Sequence, residues 1–258
     1  MNTETAARAT ILADRLAQIE ALALSSGSHE EFNKGMCVME AVSYVAGEPW
    51  SDAPECASSV ITAFMVSWND SLGDEPRNRL LKPLIPLLVG TRSTAEVEER
   101  RSYMALDWMI RVFTPKWFDL VPALHEHAKA LRDLDVIADM AGAAAAGKRV
   151  TAAWAAAWTA AGDAAWDAAG AAAGAAAAGA AAGDAARAAA GAAAWDAARA
   201  AAGAAAWDAA WAAAGAAARA AARAAAAWAA AGAALKPTTK WLQKSAIALV
   251  HRMIAEAA

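Results

Sequence analysis

The sequence predicts an all-α protein: an N-terminal helical bundle, a long alanine-rich helical arm and a C-terminal helix that docks on the bundle. Three observations predict this. No segment alternates β-branched and polar residues with the period of two that a strand needs. The first 140 residues divide into apolar runs at spacings of three and four, punctuated by Pro, Gly and capping residues. Residues 151–234 are mostly alanine, the best helix former. The expected organisation is a bundle over 1–145, a repeat arm over 146–236 and a docked helix over 237–258, in a chain of 258 residues that is long enough to bury a core.

Residues 4–24 place Ile11, Leu12, Leu16, Ile19 and Ala23 on one face of an amphipathic helix, which Ser25, Ser26 and Gly27 end. Ser28, His29, Glu30 and Glu31 fit a capping box, in which a serine caps a backbone N–H and the glutamate reaches back. They predict a helix over 30–46 with Phe32, Met36, Met39, Val42 and Val45 inward, stopped by Gly47 and Pro49. Asp52 and Pro54 open a third helix reaching Trp68, with Val60, Ile61, Phe64 and Met65 on its apolar face. Pro83 and Pro86 split the segment 77–89 into two short pieces. Ser93 to Glu96 open a fifth helix that Thr114 and Pro115 break, and Pro122 begins a sixth reaching about Ala138.

Composition narrows the class of function. A net charge of −4 and a pI near 5.6 argue against a nucleic-acid binder, which is normally basic. Two cysteines, Cys37 and Cys56, are too few for a disulfide framework and suit a reducing, cytoplasmic setting. The first residues lack the basic start and apolar run of a signal peptide. Asp163, Asp167, Asp184, Arg187, Asp196, Arg199, Asp208, Arg219 and Arg223 interrupt the alanine tract, so no membrane span is expected in it.

The stretches KGMCVMEAVSYVAGEPWSDAPECASSVITAFMVSWND, LLKPLIPLLVGTRST and EERRSYMALDWMIRVFTPKW, within residues 34–118, resemble a family of uncharacterised actinobacterial and actinophage proteins. LQKSAIALVHRMI, residues 242–254, is similar to the same family at its C-terminus. The resemblance implies a tract of variable length rich in Ala, Trp, Asp and Arg between the two blocks, and implies no activity.

Within the tract, residues 191–214 read GAAAWDAARAAA and then GAAAWDAAWAAA, a twelve-residue unit of three four-residue steps. Four residues advance a helix by about 400°, so the row of Trp, Gly and Arg drifts ~40° per step. A single straight rod would therefore turn tryptophans to water on every side, each forfeiting roughly 1.5–3 kcal/mol relative to burial. A hairpin is expected instead, with Trp154, Trp158, Trp166, Trp195, Trp207, Trp211 and Trp228 packing one arm on another over Gly and Ala. Pro237 is expected to stop the tract, and Trp241, Leu242, Ile247, Leu249, Val250, Met253 and Ile254 then give the last helix an apolar surface suited to docking.

No catalytic residue and no cofactor is expected. The sequence has no GxSxG elbow, no GxxxxGK[ST] or GxGxxG phosphate loop, and no CxxC or HExxH metal spacing. Cys37, His29, Glu40 and Cys56 are better read as structural residues than as metal ligands, and His125 and His127 as surface residues. Glu40 and Asp107 are better read as partners of Arg92, Arg100, Arg101 or Arg111 than as an acid–base pair. Glu40, Trp50, Asp52, Asn69, Asp70 and Arg92, at helix ends, are the candidate partner or ligand contacts. The competing reading puts Trp50 and Trp68 in the core and gives the polar residues to capping. The expected function is that of a non-enzymatic interaction or structural protein that binds a protein partner or itself; the resemblance to actinophage proteins implies a phage-encoded protein acting on a host protein. The alternatives are a small-molecule binder or enzyme with its site in the bundle, and an ice-binding protein, the latter disfavoured by the winding row and scarce threonine.

Overall fold

A computed structural model of the protein describes residues 10–161 and 228–256. These residues form an all-α bundle with no strand among them, and one hydrophobic core runs through it. The first helix, α1, is shorter than expected, covering Ala13–Ala21, because the backbone is already extended at Leu12 and again at Leu22. The predicted helix start at Ser28 does not form. Gly35 has φ +132°, a conformation closed to helices, so residues 28–37 form a loop that holds only a 3-10 turn, Phe32–Lys34, and α2 spans Val38–Ala46. The capping box exists, but Cys37 and Glu40 build it: Glu40 N–H donates to Cys37 Sγ at 3.4 Å, and Cys37 N–H donates to Glu40 Oε2 at 2.7 Å.

Helix α3 spans Ser59–Ser71, later than expected, and Ser58 Oγ caps it by accepting the Ile61 N–H at 3.2 Å. Pro54 belongs to the preceding turn, in which its carbonyl accepts the Ala57 N–H. The split around Pro83 and Pro86 is as expected: α4 is Asp74–Leu81, a 3-10 turn covers Lys82–Leu84, and α5 is Ile85–Leu88. Helix α6, Ala95–Trp108, takes Thr94 as its cap. Thr114 and Pro115 do not break it. A π turn over Met109–Phe113 leads directly into α7, Thr114–Phe118, with Pro115 in its first turn. Widening the turn just before the proline absorbs the missing N–H and the ring's bulk. A 3-10 turn, Pro122–Leu124, precedes α8, His125–Arg132, and the buried Leu134 and Ile137 continue as loop rather than helix.

Two long helices carry the flanks of the tract. Asp139 Oδ1 accepts the Gly142 N–H at 2.8 Å and starts α9, Met140–Ala161. Helix α9 passes without interruption through the expected boundary at residue 145 and packs on α8. Its buried residues Ala143, Ala146, Val150, Ala153 and Ala157 alternate steps of three and four, the spacing of a coiled-coil seam. Helix α10 spans Trp228–Ala255 with Pro237 inside it, so Pro237 does not end the tract's helix. An interior proline costs about 3 kcal/mol, which the burial of Leu235, Thr238 and Leu242 around it offsets. The expected docking is present: α10 lies on α6 and α7, with Leu249, Val250 and Met253 buried. Trp241 departs from the expected apolar surface, being 45% exposed with the Lys116 ammonium 5.2 Å over its ring. The hairpin expected of the arm lies outside the described residues.

Rings pack in series through the centre. Phe64 meets Trp68 and Trp108 at 5.8 and 6.0 Å, Trp108 meets Phe113 at 5.4 Å, and Phe113 meets Trp117 at 6.2 Å. The indole N–H of Trp108 donates to Ser245 Oγ of α10 at 2.7 Å. Arg101, with no exposed surface, donates to Glu98 Oε1 at 2.7 Å and to the Thr91 and Met253 carbonyls at 2.8 Å each. Arg101→Ala leaves a buried carboxylate and two carbonyls without this donor. Urea denaturation should show a loss of about 3–5 kcal/mol, and a loss below about 1 kcal/mol would mean that Arg101 does not hold α10 in place.

Candidate functional site

The most elaborate polar arrangement among the described residues surrounds the loop 25–37. Its base is closed by Ser25 N–H donating to the Met36 carbonyl at 2.8 Å and Met36 N–H donating to Ser25 Oγ at 3.0 Å. Inside it lies a series of three groups. His29 Nδ1 is 2.8 Å from Glu40 Oε2, and His29 Nε2 is 2.9 Å from Ser25 Oγ. Glu40 is 1% exposed and sits in the first turn of α2, where its carboxylate also accepts the N–H groups of His29 and Cys37. Facing a carboxylate, Nδ1 is assigned the ring proton, which leaves Nε2 as the acceptor for the Ser25 hydroxyl. Hydroxyl, imidazole and carboxylate thus stand in line.

Neighbouring elements fix the loop from outside. The Trp50 indole N–H donates to the His29 carbonyl at 2.7 Å. Asn69, fully buried in α3, accepts the Val38 N–H at 3.2 Å and donates to the Ser25 carbonyl at 2.8 Å. Asp70 accepts the Gly27 N–H at 2.7 Å. Phe32 packs on Tyr44 at 4.7 Å and on Trp50 at 6.0 Å, and the Arg15 guanidinium lies over Tyr44. A Cβ on residue 35 would fall 2.4–2.5 Å from the His29 ring and 2.9 Å from Ser25 Oγ, so this position needs glycine for space as well as for its φ.

Four of the six candidate contact residues, Glu40, Trp50, Asn69 and Asp70, therefore converge on one loop. Arg92 does not join them; it is exposed, and it donates through Nη1 to the Glu55 carbonyl at 3.2 Å. Asp52 is half-buried and makes no hydrogen bond or ion pair among the described residues. Of the tract tryptophans, Trp154 packs half-buried against the core, Trp158 belongs to α9 and Trp228 begins α10, while Trp166, Trp195, Trp207 and Trp211 lie outside the described residues. The expected arginine partner holds for Asp107, which meets Arg111 at 3.0 Å and accepts the Ile137 N–H, but not for Glu40, whose partner is His29. Sequence reasoning missed Ser25 and Gly35, because the serine lies in a loop four residues from the histidine and matches no established motif.

No group of three or more His, Cys, Asp or Glu among the described residues could hold a metal ion. Burial pushes the Cys37 thiol up to about 12 and the half-buried Cys56 thiol up to about 11, so neither is a thiolate near neutral pH. No protein-family model matches the chain, and no curated protein or solved structure shows significant similarity to it.

Two measurements follow from this geometry. Asn69→Ala strips the Val38 N–H of its acceptor inside the core and frees the loop base at Ser25. Thermal denaturation should report a loss of about 1–3 kcal/mol, and an unchanged melting temperature would show that Asn69 does not fix the loop. For Cys37, the unfolded chain loses the thiol proton above its ordinary 9.0 while the folded chain keeps it to about 12. The unfolded state then binds fewer protons, so stability falls as pH rises through this window, by up to ~1.4 kcal/mol per pH unit. Urea titrations at pH 8.5 and 10 should show a steeper fall for the parent than for Cys37→Ala.

Proposed function

We propose that the protein works by binding another protein, with the bundle as a base that presents the Ala- and Trp-rich segment between α9 and α10. The observation that carries this reading is the anchoring of both flanks on one core. Helix α9 enters the tract from α8, and α10 leaves it to lie on α6 and α7. A segment held at both ends by a folded base loses less freedom on binding than a free tail. Tryptophan and arginine, spaced along residues 162–227, are the side chains that most often anchor protein interfaces. The partner is a second copy of the chain or another protein, and the resemblance to actinophage proteins directs the search to bacterial host proteins.

No helix among the described residues is long and apolar enough to cross a membrane. The reading is tested by replacing residues 162–227 with a Gly/Ser linker, which spares the buried Ala157 of α9 and Leu235 of α10. The full chain should retain a specific partner in pull-downs, or self-associate by size exclusion with light scattering, and the replacement should abolish both. Retention of the same partner by the replaced chain would move the contact surface to the bundle.

A further inference from the structure

We propose that Ser25 is a base-activated nucleophile that accepts an acyl group from an activated carboxylic ester, a chemistry separate from partner binding through the tract. Its hydroxyl is 2.9 Å from His29 Nε2, and His29 Nδ1 is 2.8 Å from Glu40 Oε2. This is the order and spacing in which a serine, a histidine and a carboxylate cooperate in acyl transfer, recognised by geometry and not by sequence position. Each member is held for its part. The Glu40 carboxylate is buried and fixed by the His29 and Cys37 backbone N–H groups, so it presents one oxygen to Nδ1 and sets the tautomer. The imidazole is braced against the Gly35 backbone, where any side chain would displace it. Trp50 holds the His29 carbonyl, and Asn69 holds that of Ser25.

The reaction balances with water as the only co-reactant. Ser25 Oγ forms a bond to the acyl carbon while His29 Nε2 takes the hydroxyl proton. The ester C–O bond breaks, and the proton passes from Nε2 to the departing alkoxide. Water then attacks the acyl-serine, giving its proton to Nε2, and the carboxylic acid leaves as Oγ recovers a proton. Charge on the tetrahedral oxygen requires N–H donors beside the nucleophile. The Met36 N–H donates to Oγ itself at 3.0 Å, with the Met36 carbonyl 3.4 Å from the same hydroxyl, so Met36 positions the nucleophile. The N–H of Ser26, the residue after the nucleophile, has no partner among the described residues. Ser26, Gly27 and Ser28 are exposed and form the open side from which a small ester arrives.

The loop supplies its own controls, because Ser26 and Ser28 are more exposed than the half-buried Ser25 and have no imidazole partner. The intact full chain is treated with a fluorophosphonate, and the adduct is located by peptide mass spectrometry. Labelling is expected on Ser25 at no less than about ten times the level on Ser26 or Ser28, falling ~100-fold in His29→Gln. An adduct spread evenly over the three serines, no adduct at Ser25, or equal Ser25 labelling in a folded His29→Gln variant overturns the proposal and leaves the triad as a clamp on the loop. Should His29→Gln lose its near-UV circular dichroism, Ser25→Cys decides. Alkylation of that thiol by iodoacetamide at pH 6 should be about ten times faster in the folded chain than in urea, as for a thiol paired with imidazole, and equal rates overturn the proposal.

Discussion

The bundle depends on a buried ion pair between neighbouring turns of α6. Glu98 accepts the Ser58 hydroxyl at 2.5 Å and the Val60 N–H at 3.3 Å, which fixes the start of α3, and it pairs with Arg101. Arg101 reaches onward to the Thr91 carbonyl and to the Met253 carbonyl near the end of α10. Thr91 Oγ1 in turn accepts the Ser58 N–H. The start of α3, the turn before α6 with α6 itself, and the end of α10 meet at two side chains. Removing two charges from water costs several kcal/mol per ion, and that cost is recovered only where the remaining polar atoms are also bonded. Arg101 Nη2 is buried without a partner, so the pair does not recover that cost in full; what its bonds do is tie the start of α3, α6 and the end of α10 together.

A second constraint acts on the loop 25–37, and there the shape of the backbone and the chemistry of the side chains are the same fact. The left-handed Gly35 that forbids a helix also makes room for the imidazole, and the carboxylate that caps α2 also orients that imidazole toward Ser25. The nearby Cys37 thiol is excluded from reactivity by the same burial that keeps Glu40 dry. Function at this loop thus rests on interactions that also close the fold.

Much of this architecture was legible in the sequence. Apolar periodicity located α2, α3, α6 and α10, and the prolines at 83 and 86 located a break that the structure contains. Helix starts were less legible. Ser28 and Glu31 match a capping box, yet the working cap is a cysteine, whose sulfur is a weak acceptor and a poor signal. Pro115 and Pro237 look like stops, but tertiary packing around each outweighs the loss of one N–H. At the site, polar residues at helix ends beside tryptophan pointed to Glu40, Trp50, Asn69 and Asp70. The roles of Ser25 and Gly35 stayed hidden because nothing in a linear pattern records that a loop turns back on itself.

The π turn at Met109–Phe113 places one residue more in its turn than a regular helix would. Dropping that residue would rotate everything beyond it by about 100° relative to α6. Trp117 and Phe118, both without exposed surface, would swing away from the positions they now fill, and Lys116 away from Trp241. The turn therefore works as a phase shifter between two helical segments. A length change of a single residue there would be felt throughout the interior, because it alters the angular setting at which Trp117 and Phe118 enter the core.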